Sequence, residues 1–387
     1  MEIRSLSQDD LDQGRALASI AFSRGRRKTP KPDDERHLPG AYGLFDERGL
    51  QAAARAIPFE VYFGEQVVKM GGVADVMCHP ASRRRGYAGA LVRRLLEHMK
   101  EEGQTLSCLY PFSYAYYRKF GWDWIGRHFM YNIGSGNLPH SPQASHVHPA
   151  DPADHSTIQA IYNQYARRYR GCIIRDERAW NGVINQESDP ITFVYLFEAE
   201  DEPSGYLVFQ FGDEYKLTSI REMVALTSDA YRGFLGLLRH HDMQVGAFEW
   251  SAPSDDVLWD ITMEHEVKTR IHPMTMGRVV DVEAALSWLA INPAVEGRFR
   301  ISVQDEAAPW NGRCWEMEMG EGRIQVKPTA HEAEIELDIQ SFSQAFWGVP
   351  SSAELRHAGR IGVHDEKAFQ LMAAALSGPP VWTMDGF

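Results

Sequence analysis

Three arginines and two glycines within seven residues, Arg83-Arg84-Arg85-Gly86-Tyr87-Ala88-Gly89, have the types and spacing of an anion cradle. Arginine gives fixed positive charge in a planar fork that matches phosphate oxygens. Gly86 lets the backbone come close to an anion. Ala88 and Gly89 leave room beside it. The elements on either side must aim this turn. Residues 73–78 form an apolar run that predicts a strand. After the turn, Ala90, Leu91, Leu95, Leu96 and Met99 recur at helical spacing, so a helix follows. Its start offers free backbone N–H groups and the positive end of its dipole.

A second stretch lies about 30 residues on. Residues 106–110 predict another strand, followed by Pro111-Phe112-Ser113-Tyr114-Ala115-Tyr116-Tyr117-Arg118-Lys119-Phe120-Gly121-Trp122. The turn resembles the pyrophosphate loop of the Gcn5-related N-acetyltransferases (GNAT), Arg/Gln-x-x-Gly-x-Gly/Ala. Tyr-x-x-Phe-Gly-Trp/Tyr after a strand resembles the end of the acetyl-CoA half of that fold. The resemblance implies an acetyl-CoA site early in the chain.

Composition bounds the rest. At 387 residues the chain is long for one core and predicts two or three domains. Apolar content of 44% and charged content of 24% suit a globular protein. No apolar run approaches the length of a membrane-spanning helix, and the polar, acidic start is not a signal peptide. Cys78, Cys108, Cys172 and Cys314 stand far apart, which predicts reduced thiols, a cytoplasmic location and no structural metal. His140, His146 and His148 sit among Pro and Ser and read as linker. Net charge is −13, unevenly spread: residues 1–150 carry 20 Lys+Arg and 16 Asp+Glu, leaving 20 and 37 for the remainder. The basic part suits an anionic acyl donor. The acidic part argues against nucleic acid and suits a cationic substrate.

Along the chain, Ser7 with Asp10 predicts an N-cap before a first helix. The basic run at 24–28, with Lys31, reads as a loop over the first cleft. Strands are expected at 40–45, 52–61 and 66–78. The stretch 139–149 marks a boundary. A strand at 216–226 and a helix from Thr227 echo the first domain, but of the cradle only Arg232-Gly233 remains, so this copy is not expected to bind coenzyme A. Then come strands at 274–282, 297–303, 314–319 and 323–327, and helices at 282–289, 340–347 and 365–376. Residues 381–384 could add a short strand.

The whole chain resembles the Eis ("enhanced intracellular survival") family. The points that carry this are Val-x-x-His-Pro-x-x-Arg-Arg-Arg-Gly at 76–86, Tyr117-Arg-Lys-Phe-Gly-Trp122, Met276-Gly-Arg-Val-Val-Asp-Val282 and a terminal Phe387. The implied fold class is α/β (α+β). It has two tandem GNAT-type mixed-sheet domains, 1–145 and a degenerate 146–272, then an antiparallel sterol-carrier-protein-like domain, 273–387. By this resemblance, the backbone of Val76, Met77 and Cys78 holds the pantetheine arm. Arg83, Arg84, Arg85, Gly86, Tyr87, Ala88 and Gly89 hold the pyrophosphate, and Phe112 and Ser113 flank the thioester. Tyr117 is the general acid and the Phe387 carboxylate the general base. A homo-hexamer and aminoglycoside antibiotics as acceptors are implied too. Family relatives can carry an acidic residue just before the last Phe; here Gly386 stands there and Asp385 precedes it.

The chemistry is consistent with the residue types. An ammonium must lose a proton before its nitrogen attacks a thioester, and the departing thiolate needs one. A terminal carboxylate titrates near 3.5 in water, and burial beside acids would raise it. Asp75 is a rival base. Cys78 and Cys108 as acyl carriers lack a placeable partner. Three functions follow: acetylation of polyamine-type small molecules, acetylation of protein lysines or another cellular amine, or non-catalytic binding of acetyl-CoA and a lipid. The last requires an apolar tunnel in 274–387.

Overall fold

The computed structural model describes residues 1–22, 34–184, 192–211, 217–262 and 267–387. The basic run expected as a loop over the first cleft lies outside the described residues.

The first sheet runs in the order β1 (Glu2–Ser5), β2 (Ala41–Asp46), β3 (Gly49–Phe63), β4 (Gln66–Cys78), β5 (Leu106–Leu109), β15 (Met276–Val279), β6 (Asp123–Trp124). β9 (Arg170–Ile173) pairs with the far half of β3. All neighbours are antiparallel except β4 and β5, which are joined through the helix Tyr87–Glu101. That helix buries Leu91, Leu95, Leu96 and Met99 completely on the sheet. Each such side chain contributes about 1.5–3 kcal/mol.

The second sheet is ordered β14 (Lys268–His272), β7 (His128–Gly134), β13 (Ala247–Ala252), β12 (Leu217–Ala225), β11 (Glu202–Phe211), β10 (Thr192–Ala199), β8 (Val147–Pro149). Its β11–β12∥β13 run, with the helix Ser228–Arg239 as crossover, repeats β3–β4∥β5. A register shift interrupts the antiparallel pair in both copies. The expected remnant of a cradle is not one: Gly233 is buried inside the helix, where an added Cβ would stand 2.7 Å from the Phe197 ring. The stretch 139–149, read as linker, includes the edge strand β8 paired to β10.

Three strands cross the expected boundaries. β7 follows the first copy in the chain yet lies beside β13 of the second. β15, expected in the C-terminal part, lies between β5 and β6 of the first. β9 extends β3. The two copies thus exchange the strand that flanks their parallel pair.

The third sheet is ordered β18 (Arg323–Pro328), β17 (Arg313–Gly320), β16 (Gly297–Gln304), β19 (Ile335–Asp338), β20 (Ile361–Val363). It is mixed rather than antiparallel, because β16 and β19 run parallel. Trp315, Phe342, Phe346 and Trp347 fill its interior and are essentially unexposed. No helix among them is long and apolar enough to cross a membrane.

Candidate active site

β4 and β5 stay paired only from Met70–Leu106 to Gly72–Cys108. Beyond that they part, and the β5-facing backbone of β4 has no ladder partner. A bulge deepens the break. Ala53 pairs with Met77 and Arg55 with Ala74, so β4 carries an extra residue there. Asp75 sits in the bulge with φ +52. Bulges of this kind re-aim side chains beside sites. The side chains of Val76 and Cys78 pack towards the helix Tyr87–Glu101, while Met77 packs with Leu17 and Leu50 on another face. Burial pushes the Cys78 thiol above its usual range.

The turn after β4 is tied down by Ser82, whose buried hydroxyl donates to Gln51 Oε1 at 2.7 Å. Arg83, Arg84 and Arg85 are exposed and have no ion-pair partner among the described residues. Gly86 is the N-cap of the helix at φ +82, and no side chain caps the first turn. The first-turn amides of Tyr87, Ala88 and Gly89 are therefore left without a side-chain cap. Arg84 also has a positive φ of 63. The parted strands, the uncapped helix start and three free cations fit a phosphate-bearing thioester. One expectation needs correction: Gly89 does not clear space for the anion. It is buried, and an added Cβ would lie 3.0 Å from Phe120 Cζ, so its smallness serves helix packing.

Phe112 is 69% exposed and lies with its ring 5.3 Å from that of Tyr117. Ser113 is the N-cap of the short helix Tyr114–Arg118, accepting from the Tyr116 N–H at 3.4 Å. Tyr117 is buried among Phe112, Tyr116 and Trp122. Burial, reinforced by Tyr116, pushes its hydroxyl well above the usual tyrosine range. That hydroxyl has no hydrogen-bond partner among the described residues, yet is not sealed from solvent. The turn behind it is braced by the fully buried Arg278, which donates to the Phe120 carbonyl and pairs with Asp305. Gly121 (φ +91) makes room: a Cβ there would stand 1.7 Å from Arg278 Nη1.

Strand alternation decides how the two ends of the site face each other. Gly71 faces the helix side, since its Cβ would meet Met99. Val73 packs in the same cluster as Leu95 and Tyr117. Gly72 faces the other way, and its Cβ would lie 2.6 Å from rings of both Phe387 and Phe59. Tyr117 and Phe387 therefore approach the last paired residue from opposite faces of the sheet.

The tail that delivers Phe387 is not the expected strand. It makes one parallel bridge, Val381 to Arg170. Beyond it, side chains hold the chain. Tyr110 donates to the Asp385 carbonyl at 2.6 Å, and Thr383 and Thr275 hydroxyls meet at 3.0 Å. The Phe387 ring packs on Phe59 and Tyr110 with centroids 4.9 and 5.4 Å away. These partners were missed in the sequence, because no spacing links residues so far apart.

The terminus opens on a cavity of about 1050 Å³. Glu60, Asp75, Asp176, Glu222 and Asp385 line it, as do Lys69, Arg178 and Arg221. Burial raises the Asp385 carboxyl, with Arg175 opposing the shift.

Parted parallel strands, an uncapped helix start and an acceptor cavity on the opposite face define an acetyltransferase of the Gcn5-related class. Acetyltransferase (GNAT) domain family models match residues 2–125 and 171–279, and a sterol carrier protein domain matches 282–384. The N-acetyltransferase Eis of Mycobacterium tuberculosis is 24% identical over 340 residues, 83% of this chain and 81% of that protein. Two crystal structures, each 23% identical, share the fold over the full length of both chains. They are a GCN5-related N-acetyltransferase from Anabaena variabilis (TM-score 0.87) and Eis1 from Mycobacterium abscessus (TM-score 0.81). The chain thus carries two acetyltransferase (GNAT) domains and a sterol carrier protein domain, and it is similar in sequence to the Eis N-acetyltransferases. Acetyl-CoA is the acyl donor this class of enzyme uses.

Proposed function

We propose that the protein transfers acetyl directly from acetyl-CoA to an amine of a polycationic small molecule, with aminoglycoside antibiotics as the first class to test. The observation that carries the reading is the seat of Phe387 at Gly72, opposite the face on which Tyr117 packs. The amine enters from the large cavity and the thioester from the cradle side. The terminal carboxylate takes the ammonium proton. The amine nitrogen then attacks the thioester carbon, and the unpaired β4 backbone at Val76 donates to its oxygen. The Tyr117 hydroxyl passes its proton to the departing sulfur. Its raised pKa keeps it protonated until then. The second proton, shed by the acylated nitrogen, returns through solvent to the tyrosinate. Arg83 to Gly89 bind the pyrophosphate, and Phe112 and Ser113 border the acyl end. Asp75, Glu60 and Asp176 favour a cationic acceptor.

A second reading keeps the reaction and changes the acceptor to a protein lysine or another cellular amine. Arg178 and Arg221 favour it, being wall cations with no ion-pair partner among the described residues, suited to an acceptor with an anionic group. Thiol release from acetyl-CoA against aminoglycosides, polyamines, amino acids and lysine peptides, with product masses, separates the two. Turnover confined to the last two groups overturns the polycation reading. The Eis resemblance also carries a homo-hexamer and a cytoplasmic location into this proposal, to be read by sedimentation and fractionation.

A further inference from the structure

Main-chain bonds hold the tail only as far as Trp382, through Arg170 N to Pro380 O at 2.9 Å and Trp382 N to Arg170 O at 3.0 Å. The terminal carboxylate lies five residues later. Gly386 gives no purchase, since an added Cβ there would touch nothing within 4 Å. Asp385 is thus the last side chain that can fix the path before Phe387.

Arg175 is what Asp385 holds. Its side chain is wholly unexposed. Nε donates to Asp385 Oδ1 at 2.9 Å, Nη1 donates to Glu222 Oε2 at 3.0 Å, and Nη2 donates to Glu222 Oε1. The guanidinium lies between two rings, 4.1 Å from the centroid of Tyr162 and 4.7 Å from that of Trp180. Tyr206 donates to Glu222 at 2.7 Å, and the Tyr162 hydroxyl, which donates to the Ile173 carbonyl at 2.8 Å, lies 3.4 Å from Asp385 Oδ2. Every direction in which the guanidinium could swing is blocked by a ring or a charge-assisted bond, so it is a rigid post. The post belongs to the degenerate copy: Arg175 follows β9, and Glu222 sits on β12.

We infer that Arg175 and Asp385 are a positioning pair for the terminal carboxylate, so that the degenerate copy fixes the geometry of the base used in the first. The inference rests on the Phe387 carboxylate being that base. Asp385 faces Arg175 and fixes the chain two residues before Phe387.

The test is a cycle on the full-length enzyme. Four proteins are compared: wild type, Asp385→Ala, wild type carrying Phe387 as a C-terminal amide made by ligation, and both changes together. A displacement near 1 Å at a reacting group costs about 100-fold in rate. Asp385→Ala should therefore lower kcat about 100-fold, with KM for acetyl-CoA within about twofold. Its fold is still held by the two Arg175–Glu222 bonds, with Tm lowered by a few degrees for the unpaired Nε. Asp385→Asn keeps an acceptor for Arg175 Nε and should recover most of that loss. The double change should be no slower than the amide alone, because the pair acts only through the carboxylate. Near-native kcat in Asp385→Ala beside a slow amide overturns the positioning role and leaves the base standing. Effects that multiply, or an Asn variant as slow as Ala, also overturn it, since Asp385 would then act on the substrate by its own charge. A fully active amide removes the base, and this inference with it.

Discussion

Replacing Gly72 by alanine tests the seat of the terminus without touching either proposed catalytic group. The methyl carbon would lie 2.6 Å from Cε2 of Phe387 and 2.6 Å from Cε2 of Phe59. Carbon atoms rest about 3.5–4.0 Å apart, so each ring must withdraw by about 1 Å. Phe59 is fixed mid-strand on β3, whereas Phe387 lies at the end of a tail with one β-bridge, so the tail is the part freer to move. Moving the base by that distance should lower kcat about 100-fold, or about 2.7 kcal/mol of activation free energy. Overpacking should remove about 1–3 kcal/mol of stability, a cost of a few degrees in Tm. Gly72 faces away from the helix Tyr87–Glu101, so calorimetric affinity for acetyl-CoA should stay within about twofold. The assay is thiol release at saturating acetyl-CoA, beside thermal unfolding of the same sample. A folded Gly72→Ala enzyme with kcat within about threefold of wild type would refute the reasoning, because the base could not then depend on that seat.

Two further outcomes are expected. Arg84→Ala with Arg85→Ala removes two charge-assisted contacts worth about 1.5–3 kcal/mol each, so the Kd for acetyl-CoA should rise at least about 100-fold. Gly86→Asp should do the same by adding bulk and repulsion at the cradle; near-native calorimetric affinity in both would remove the cradle from the account. His128 is buried at the interface with Trp382, and that burial, assisted by His272, lowers its pKa from 6.5 to about 4. The unfolded chain binds this proton first, so between pH 6.5 and 4 stability falls as pH falls, by up to about 3 kcal/mol from this group. In urea titrations across that window His128→Phe should lose that part of the slope, and an unchanged slope would exclude His128 as its source.

The local parts of the site were legible in the sequence because near neighbours determine them. Strand, glycine turn and helix at 66–101 follow from apolar period and from one residue that must adopt φ +82. Helix starts were legible at Ser7, the N-cap of the first turn, whose N–H and hydroxyl both donate to Asp10, and at Thr227, whose hydroxyl accepts from the Ala230 N–H. The second copy was visible as the same order of elements without the cradle. The tertiary structure alone decided how these parts meet. β7 and β15 cross between copies because each completes a ladder beside a parallel pair, and either pairing would satisfy their alternation. Gly72, Gly89 and Gly121 owe their smallness to Phe387, Phe120 and Arg278, and although several of these residues stand in motifs, no motif pairs each glycine with its neighbour. The tail is set by Arg175 and Tyr110, which lie 210 and 275 residues from Asp385. Hydrophobic period and turn chemistry carry no information over such separations. A buried arginine becomes a fixed post only where folding brings carboxylates and rings around it.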